Sequence, residues 1–457
     1  MMATIGSEIR VRVGDLSDDV VRALEVELRV PNPKYVAAER RTGRPPVWIP
    51  EYVCGYRRDG EDLCLPRGVH AFVRRALQWL PVEWSSEVAI GEPLECEYGG
   101  TLRPYQAPIV DEMLRRVQGL VVAPCGSGKT EIGLAAIARA GREALVLVHT
   151  KDLLEQWRAR IKARFGVEAG QIGSGKATLA PVTVATVQTL ARWGRERVSG
   201  ELARFGVLVC DECHHVPAET WALVVGAIPA RHRWGLTATP NRQDGLGALI
   251  QWVVGPEIAR VRHGDLSEAG AIVPAEVRQV RTGFAWDGDA TEQYGQLMAA
   301  LVEDPERNAL VARLACDELD AGGSVLILSQ RVAHCEALAA AVGERHEAVA
   351  LTGALGARKR ADAIARLQSG ELRCVVATQL ADEGLDVPCL SCLILATPSR
   401  AAGRTQQRVG RIMRPAPGKA VPVCYDLVDA QIGVLANQAR ARRRALRDAG
   451  CTVARGA

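Results

Sequence analysis

From about residue 101 onward, short and almost uninterrupted runs of apolar residues alternate with segments of helical pattern. One block contains GLVVA, EALVLVH, PVTVA, FGVLVC and RWGLTA, and a second contains SVLILS, HEAVALT, LRCVVAT, CLILAT and AVPVCYDLV. Strands this apolar are typical of parallel sheets covered by helices on both faces. The pattern predicts an α/β protein with two tandem parallel-sheet domains, 101–262 and 303–457. We assign the stretch 263–302 between them, including the possible strand AEVRQVRTGF, to a linker.

The first hundred residues have a different pattern. EIRVRV alternates like a half-buried strand, and Ser17 followed by two aspartates marks a helix start before VVRAL. YVCGYRRDGEDLCLP predicts a hairpin that turns at Asp59-Gly60. These elements predict a small N-terminal α+β domain over residues 1–100. A separate domain should be removable without loss of chemistry located further along the chain.

Composition limits the classes of protein that remain. With 457 residues, 48% of them apolar and 24% charged, the chain is typical of a folded protein of several domains. No apolar run approaches the roughly 18 residues of a membrane span, and charged residues interrupt the first fifteen positions where a signal peptide needs an apolar core. We therefore expect a cytoplasmic protein. Thirteen cysteines, an odd number spread through apolar runs, imply no disulfide framework.

The sequence APCGSGKT at 123–130 follows the first apolar run and leads directly into the helical segment TEIGLAAIARA. This strand, loop and helix context is that of a P-loop. Gly126 and Gly128 allow backbone N–H groups to surround phosphate oxygens, and the helix N-terminus adds a favourable dipole. Lys129 is expected to reach the β- and γ-phosphates of ATP, and Thr130 to ligate Mg²⁺.

A later apolar run, FGVLVCDECHH, ends in Asp211-Glu212. Carboxylates at the carboxyl end of a parallel strand lie where open α/β sheets bind ligands. Asp211 is expected to hold Mg²⁺, and Glu212 to orient and deprotonate the attacking water.

Zinc is an alternative reading of the same strand end. Cys210, Cys213, His214 and His215 are of the residue types that bind zinc. However, ligands packed this closely at a strand end project to different faces, and no second C-x-x-C or H-x-x-x-H lies nearby. A magnesium-nucleotide site is therefore favoured.

GSGKT, then DECH, then Thr237-Ala238-Thr239 at the end of another strand together resemble superfamily 2 helicases. The resemblance extends over about residues 101–430 and implies that both parallel sheets are RecA-like domains. LRPYQ at 102–106 resembles the adenine-recognising segment, ADEGLDVP at 381–388 resembles motif V, and QQRVGRIMRP at 406–415 resembles motif VI with its arginine fingers. Together with the P-loop, the resemblance assigns ATP binding to Arg103, Gln106, Gly126, Ser127, Gly128, Lys129, Thr130, Gly384 and Asp386. It assigns catalysis to Lys129, Asp211, Glu212, Gln407, Arg411 and Arg414.

In detail the chain resembles XPB-type excision-repair helicases and phage UvsW-like helicases, through TATPNRQDGL at 237–246. Where the XPB pattern has Arg-Glu-Asp, this chain has Gln243 in the middle position. The resemblance implies that His214, Thr237 and Thr239 couple the state of ATP to the nucleic acid. The positions that it assigns to DNA contact are Thr150, Gly175, Thr186, Arg242, Ser329, Thr352 and Thr378. For each of these positions the alternative is an ordinary helix cap or turn residue.

Two basic regions lie outside these motifs, although the net charge of the whole chain is only +4. Residues 34–75 hold nine cations against five acids, interleaved with Tyr35, Trp48, Tyr52 and Tyr56. Cations with stacking rings are typical of single-strand grooves, and a solvated face over an aromatic core is an equal alternative. Residues 431–457 contain six arginines and one acidic residue, and Arg442-Arg443-Arg444 lie on a predicted helix. We expect this helix to be solvated or to dock on the protein, in preference to contacting DNA.

These observations predict an ATP- and Mg²⁺-dependent DNA helicase or translocase, a monomer acting on single-stranded or forked DNA in repair, recombination or defence. An RNA helicase shares the same motor, so RNA is the alternative substrate. A nucleic-acid-sensing ATPase switch that does not unwind is the more distant alternative.

Overall fold

The computed structural model describes residues 1–44, 46–213, 218–238, 245–378, 387–398 and 402–453. The chain forms two compact units. The first unit comprises 1–123 and 128–261, and the second comprises 124–127 and 262–457.

The first unit begins with a small α+β domain. Its strands are β1 Met2–Ile5, β2 Glu8–Arg12, β3 Arg29–Pro31, β4 Tyr52–Cys54, β5 Arg57–Asp59, β6 Asp62–Pro66 and β7 Glu83–Ser86. Its helices are Asp18–Glu27, Pro33–Thr42 and His70–Ala76. A five-stranded sheet has the order β5-β6-β2-β1-β7, and β3 pairs with β4 separately. The predicted hairpin is confirmed, since Asp59 pairs with Asp62 and Gly60 has the positive φ of 59° that the tight turn requires.

The P-loop sheet of the first unit has eight strands. They are β8 Gln118–Val122, β9 Ala144–Val148, β10 Gly170–Gly173, β11 Lys176–Thr178, β12 Val182–Thr186, β13 Val207–Asp211, β14 His232–Thr237 and β15 Glu257–Arg260. The order is β11-β10-β12-β9-β13-β14-β8-β15, with only the β10–β11 hairpin antiparallel. The helices are Gln106–Arg116, Lys129–Ala140, Lys151–Phe165, Val187–Trp193, Arg195–Glu201, Ala218–Val225 and Gly247–Val254.

The N-terminal domain and the P-loop sheet share hydrophobic core. Leu249 and Trp252, on the helix Gly247–Val254, are buried in one cluster with Ile9, Leu24 and Leu63 of the N-terminal domain. The first hundred residues are thus packed into the first unit, rather than attached to it as a separate body.

Two buried arginines hold this junction. Arg67 donates from Nε to Gln118 Oε1 (2.8 Å) and from Nη2 to the carbonyl of Arg231 (3.0 Å). Arg233, fully buried, donates from Nη2 to the carbonyl of Ser7 (3.1 Å). Buried donors of this kind cost free energy when left without acceptors, so the junction favours a fixed arrangement.

The second unit is built on a seven-stranded, all-parallel sheet. Its strands are β16 Glu276–Arg281, β17 Val325–Leu328, β18 Ala348–Leu351, β19 Cys374–Ala377, β20 Cys392–Leu395, β21 Val423–Val428 and β22 Thr452–Val453. The order is β18-β19-β17-β20-β21-β16-β22. Helices of this unit are His263–Glu268, Tyr294–Glu303, Pro305–Asp320, Val332–Gly343, Ala357–Ser369, Ala402–Ile412 and Gly433–Asp448.

The expected linker differs from what the structure shows. Residues 276–281 pair along their whole length with β21 and with β22 on the other side, so this segment is a strand of the second sheet. Its exposed Arg278 and Arg281 explain the misassignment, because they give the segment less apolar character than the central strands.

The C-terminal helix Gly433–Asp448 docks on the second sheet. Arg442 is buried and pairs through Nε with Asp426 Oδ1 at 2.6 Å, while Arg444 and Arg447 point to solvent. Docking, one of the two expected roles of this helix, is therefore what the structure shows.

All thirteen cysteines are free thiols. Among the described residues, no helix combines the length and apolar character needed to cross a bilayer.

Candidate nucleotide and nucleic-acid sites

Strand order in the first unit sorts the predicted site residues into two neighbouring groups. β13, β14 and β8 are adjacent, and their carboxyl ends carry Asp211, Thr237 and the P-loop. β10, β12 and β9 are adjacent on the other side of β13, and Gly175, Thr186 and Thr150 follow or end them. One edge of the sheet therefore holds the ATP candidates on one half and the nucleic-acid candidates on the other.

The P-loop has the backbone that its glycines were expected to supply. Gly126 has φ of 83° and Gly128 has φ of 74°, and Lys129 begins the helix Lys129–Ala140. A Cβ on Gly128 would lie 2.5 Å from Nε2 of Gln106, so a side chain there would displace the Gln106 amide and would also strain the left-handed backbone. Gln106 is held in turn, since its Oε1 accepts from the backbone N–H of Arg103 at 2.8 Å. The adenine-segment residues thus lie against the P-loop.

The two carboxylates of β13 have different surroundings. Asp211 is buried, and its oxygens accept from Trp157 Nε1 (2.7 Å) and from the backbone N–H of Glu212 (3.0 Å). Burial, followed by the neighbouring Glu212, raises the pKa of Asp211 above its usual value, which a bound cation would oppose. Glu212 has a positive φ of 45°, uncommon for a residue with a side chain and typical of functional sites.

Glu212 and Lys129 form an ion pair. Oε1 of Glu212 lies 2.7 Å from Nζ of Lys129, and both side chains are largely buried, at 15% and 12% exposed. Lys129 Nζ also lies 3.4 Å from the carbonyl of Ala123. The predicted phosphate-binding cation and the predicted general base are therefore in direct contact.

The residues present fit a magnesium-bound nucleotide. The left-handed glycines leave room for backbone approach, and a buried carboxylate stands beside the lysine. Mg²⁺ usually takes one or two protein ligands and phosphate oxygens, which suits Asp211 and Thr130. In the described ranges, no group of three or more His, Cys, Asp or Glu is placed to hold a metal ion. Cys210 and Cys213 are fully buried, and burial raises the pKa of the Cys210 thiol to about 12, as expected of core thiols.

The nucleic-acid candidates of the first unit occupy strand ends and one turn. Thr150 caps the helix Lys151–Phe165, its Oγ1 accepting from the N–H of Leu153 at 3.2 Å. Thr186 ends β12, and its hydroxyl lies 2.7 Å from that of Thr189. Gly175 has φ of 80° in the exposed β10–β11 turn. All three are compatible with ordinary capping and turning, and their DNA contacts stay predictions.

In the second unit, Ser329, Thr352 and Thr378 directly follow the adjacent strands β17, β18 and β19. All three are buried. Oγ1 of Thr378 has no hydrogen-bond partner within the described part of the chain. Its contact with DNA stays a prediction.

Ser329 is committed to a buried hydrogen-bond chain. Asn308 Nδ2 donates to the carbonyl of Val302 (2.9 Å), which fixes its Oδ1 as the acceptor for His334 Nε2 (2.8 Å). Burial and nearby arginines lower the pKa of His334 to about 4, so the ring is neutral and Nδ1 accepts from Ser329 Oγ (2.8 Å). The hydroxyl hydrogen of Ser329 is thus already used within the protein, and its contact with DNA stays a prediction.

Motif VI residues lie on or just after the helix Ala402–Ile412. Gln407 and Arg411 are four residues apart and so share one helix face, and Arg414 follows two residues after the helix ends. Five further candidates, His214, Thr239, Arg242, Gly384 and Asp386, lie outside the described residues.

Sequence reasoning missed two supporting groups. Trp157, which binds Asp211, is 54 residues distant in sequence, and nothing in DLLEQW marks it. Glu131, two residues after Lys129, accepts from Tyr98 and from Arg164, which ties the segment before the P-loop to the P-loop helix. The aromatic and acidic residue types gave a weak signal only.

Two family models match the chain and together cover more than half of it. "Type III restriction enzyme, res subunit" matches residues 99–242, and "Helicase conserved C-terminal domain" matches residues 306–416. The chain therefore carries the two domains of a helicase, as the resemblance to superfamily 2 implied. Its relatives include Rad25 and XPB helicases, so the predicted resemblance is confirmed.

The chain is 33% identical over 346 residues to the Rad25 protein of Halobacterium salinarum, whose name describes a DNA 3'-5' helicase. The match covers 73% of this chain and 56% of that protein. The chain is also 30% identical over 338 residues to the DNA 3'-5' helicase XPB of Kineococcus radiotolerans, covering 70% and 58%. The chain thus spans less than two thirds of these relatives. Among solved structures, Dbp5 of S. cerevisiae bound to RNA and ADP BeF3 gives a TM-score of 0.57 at 16% identity, covering 77% and 89%. That likeness concerns the fold and confirms two RecA-like domains.

Proposed function

We propose that this protein is an ATP-dependent DNA helicase or duplex translocase that couples ATP hydrolysis between its RecA-like domains to movement on DNA. The observation that carries the proposal is the cluster of Lys129, Asp211 and Glu212 at the carboxyl edge of the P-loop sheet. The nucleic-acid candidates lie at the ends of the adjacent strands of the same sheet.

Each residue has a role that its chemistry suits. Lys129 and the P-loop amides bind the phosphates, Asp211 and Thr130 hold Mg²⁺, and Glu212 takes a proton from the attacking water. When bound, Mg²⁺ neutralises charge on the phosphates. When phosphate binds, it competes with Glu212 for Lys129. Glu212 then leaves its ion pair with Lys129 and contacts the attacking water instead. Gln407, Arg411 and Arg414 supply the polar and cationic groups of motif VI.

DNA is the substrate that we propose over RNA. The relatives named above carry DNA helicase names, and work in repair, recombination or defence is consistent with those names. The RNA-helicase alternative keeps every residue role described here, because the motor is common to both.

The test compares ATPase rates with single-stranded, duplex and forked DNA and with RNA. We expect stimulation by DNA, at least about tenfold over the rate without nucleic acid, and loss of that activity in Lys129→Ala with the fold retained. An unchanged DNA-stimulated rate in Lys129→Ala would sink the site assignment. Stimulation by RNA alone would replace DNA as the substrate. ATPase activity stimulated by DNA without strand separation or movement would instead support the sensing switch.

A further inference from the structure

Residues 29–54 form a projection from the N-terminal domain, here called the basic appendage. β3 and β4 pair antiparallel at its base, from Arg29 with Cys54 to Pro31 with Tyr52. Between them run the helix Pro33–Thr42 and a loop that returns to β4. Asn32 closes the base, since its backbone N–H donates to Glu51 and its Nδ2 donates to the carbonyl of Pro50 at 2.9 Å.

Apart from Val30 and Val53 at its base, which pack partly buried against the core of the N-terminal domain, the appendage contributes little to that core. Its helix Pro33–Thr42 contains no buried residue. At the tip of its loop, Val47 is 91% exposed and Trp48 is 88% exposed. Packing of the N-terminal core therefore does not explain the helix Pro33–Thr42 or the exposed Trp48 at the loop tip.

Charge on the appendage is predominantly positive and unneutralised. Arg29 is exposed and lies 4.8 Å from the centre of the Tyr52 ring. The other exposed cations are Lys34, Arg40, Arg41 and Arg44, and none of these four has a carboxylate within ion-pair distance in the described part of the chain. The acids of the same segment are Glu39 and Glu51. By contrast, Arg57 pairs with Glu8 and Arg58 pairs with Glu25, so the structure divides the basic stretch into a neutralised part and a free part.

We propose that the basic appendage is a single-stranded DNA-binding element, in which Trp48 stacks on a base and the four cations contact phosphates. An exposed ring beside unpaired cations is the combination that binds single strands with little sequence preference. The choice of DNA as the polymer rests on the proposed function. The four cations do not suit an apolar partner that has few acidic groups. A surface that bound phosphates alone would not need the exposed indole of Trp48.

The test uses the full chain and fluorescently labelled single-stranded DNA of about 20 nucleotides, titrated at several salt concentrations. Trp48→Ala should weaken binding about 5- to 150-fold, the range of one lost base stack, and Trp48→Phe should restore most of it. Trp79→Ala is the matched control, because Trp79 is equally exposed (87%) in the same domain. It should leave the affinity unchanged.

The cations are tested by salt dependence. Arg40→Gln with Arg41→Gln should make the log-log salt slope shallower by about 1.4, since each single-strand phosphate contact contributes about 0.7. Arg58→Gln, which removes a cation already paired with Glu25, should not change the slope. All these side chains are exposed, so an unchanged melting temperature is expected and shows that the variants are folded.

Unaltered affinity in Trp48→Ala, or an equal loss in Trp79→Ala, would overturn the inference while leaving the proposed helicase function intact. Wild-type protein that binds no single-stranded DNA and shows no DNA-stimulated ATPase activity would overturn both. The Trp48→Ala variant and the variant with Arg40→Gln and Arg41→Gln should still reach the wild-type ATPase rate at saturating DNA, because the appendage lies outside the nucleotide site.

Discussion

Gly68 lies at the junction between the N-terminal domain and the P-loop sheet, and Gly68→Ala tests whether that junction is rigid. A Cβ at this position would lie 2.3 Å from the carbonyl oxygen of Gln251, 2.4 Å from that of Trp252 and 2.7 Å from the amide nitrogen of Gly255. All three are backbone atoms, which cannot rotate away as a flexible side chain can. The added methyl group must therefore separate the two domains or distort the end of the helix Gly247–Val254.

The cost follows from what such a separation would break. Overpacking by one methyl group typically costs about 1–3 kcal/mol. Parting the surfaces also lengthens the bonds from Arg67 to Arg231 and from Arg233 to Ser7, and a stranded buried donor costs about 1–3 kcal/mol. We therefore expect the upper part of the range. For a unit of this size each kcal/mol lowers the melting temperature by about 2–4 °C, so a decrease of about 4–12 °C should follow.

The assay is thermal or urea unfolding of the full chain, followed by tryptophan fluorescence, which reports on the first unit through buried Trp157, Trp234 and Trp252. Gly14→Ala is the control, since a Cβ there meets nothing within 4 Å and its φ is not positive. It should be neutral or slightly stabilising. If Gly68→Ala and Gly14→Ala had the same melting temperature, the junction would accommodate the added methyl group and would not be rigid.

Three further predictions concern the sites. Glu212→Gln should still bind ATP but hydrolyse it at least about 100-fold more slowly, because it removes the base and weakens the ion pair with Lys129; a normal single-turnover rate would exclude the general-base role. Arg411→Ala should lower kcat by about 10³-fold or more with a smaller effect on ATP affinity, and a large loss of affinity with normal kcat would make it a simple phosphate anchor. Thr378→Val should weaken DNA binding at nearly unchanged stability, whereas Ser329→Ala should cost about 1 kcal/mol of stability with little effect on DNA affinity; the reverse pattern would contradict the hydrogen-bond assignment.

Much of the architecture was predictable because the central strands carry a strong signal. Runs such as ALVLV at Ala144–Val148 and VLIL at Val325–Leu328 are buried on both faces, which only a covered parallel sheet provides. The strand Glu276–Arg281 could not be predicted in this way. It lies second from the edge and is flanked by the two-residue strand Thr452–Val453, so polar residues are tolerated there and the run resembles a linker.

The site was predictable in composition but not in its hydrogen bonding. Lys129, Asp211 and Glu212 were recognisable because phosphate chemistry restricts residue types at a loop and a strand end. The partner of Asp211, Trp157, depends on how the helix Lys151–Phe165 crosses the sheet, which no local pattern encodes. Likewise, the sequence predicts a hydroxyl group at Ser329 after a strand end. The direction of its hydrogen depends on the amide orientation of Asn308, which is distant in sequence and acts through His334.

Strand order gives β13 a particular position in the proposed coupling. It lies between β14 and β9, so Asp211 is one strand away from Thr237 on one side and from the turn leading to Thr150 on the other. Neighbouring strands are about 4.8 Å apart, so the strand that carries Asp211 lies directly beside the strand that ends in Thr237 and the strand that leads to Thr150. Glu212, in a left-handed backbone conformation and paired with Lys129, stands at this boundary. If ATP binding changes the partner of Glu212, we expect the first effect on the backbone of Glu212 itself, at the end of β13.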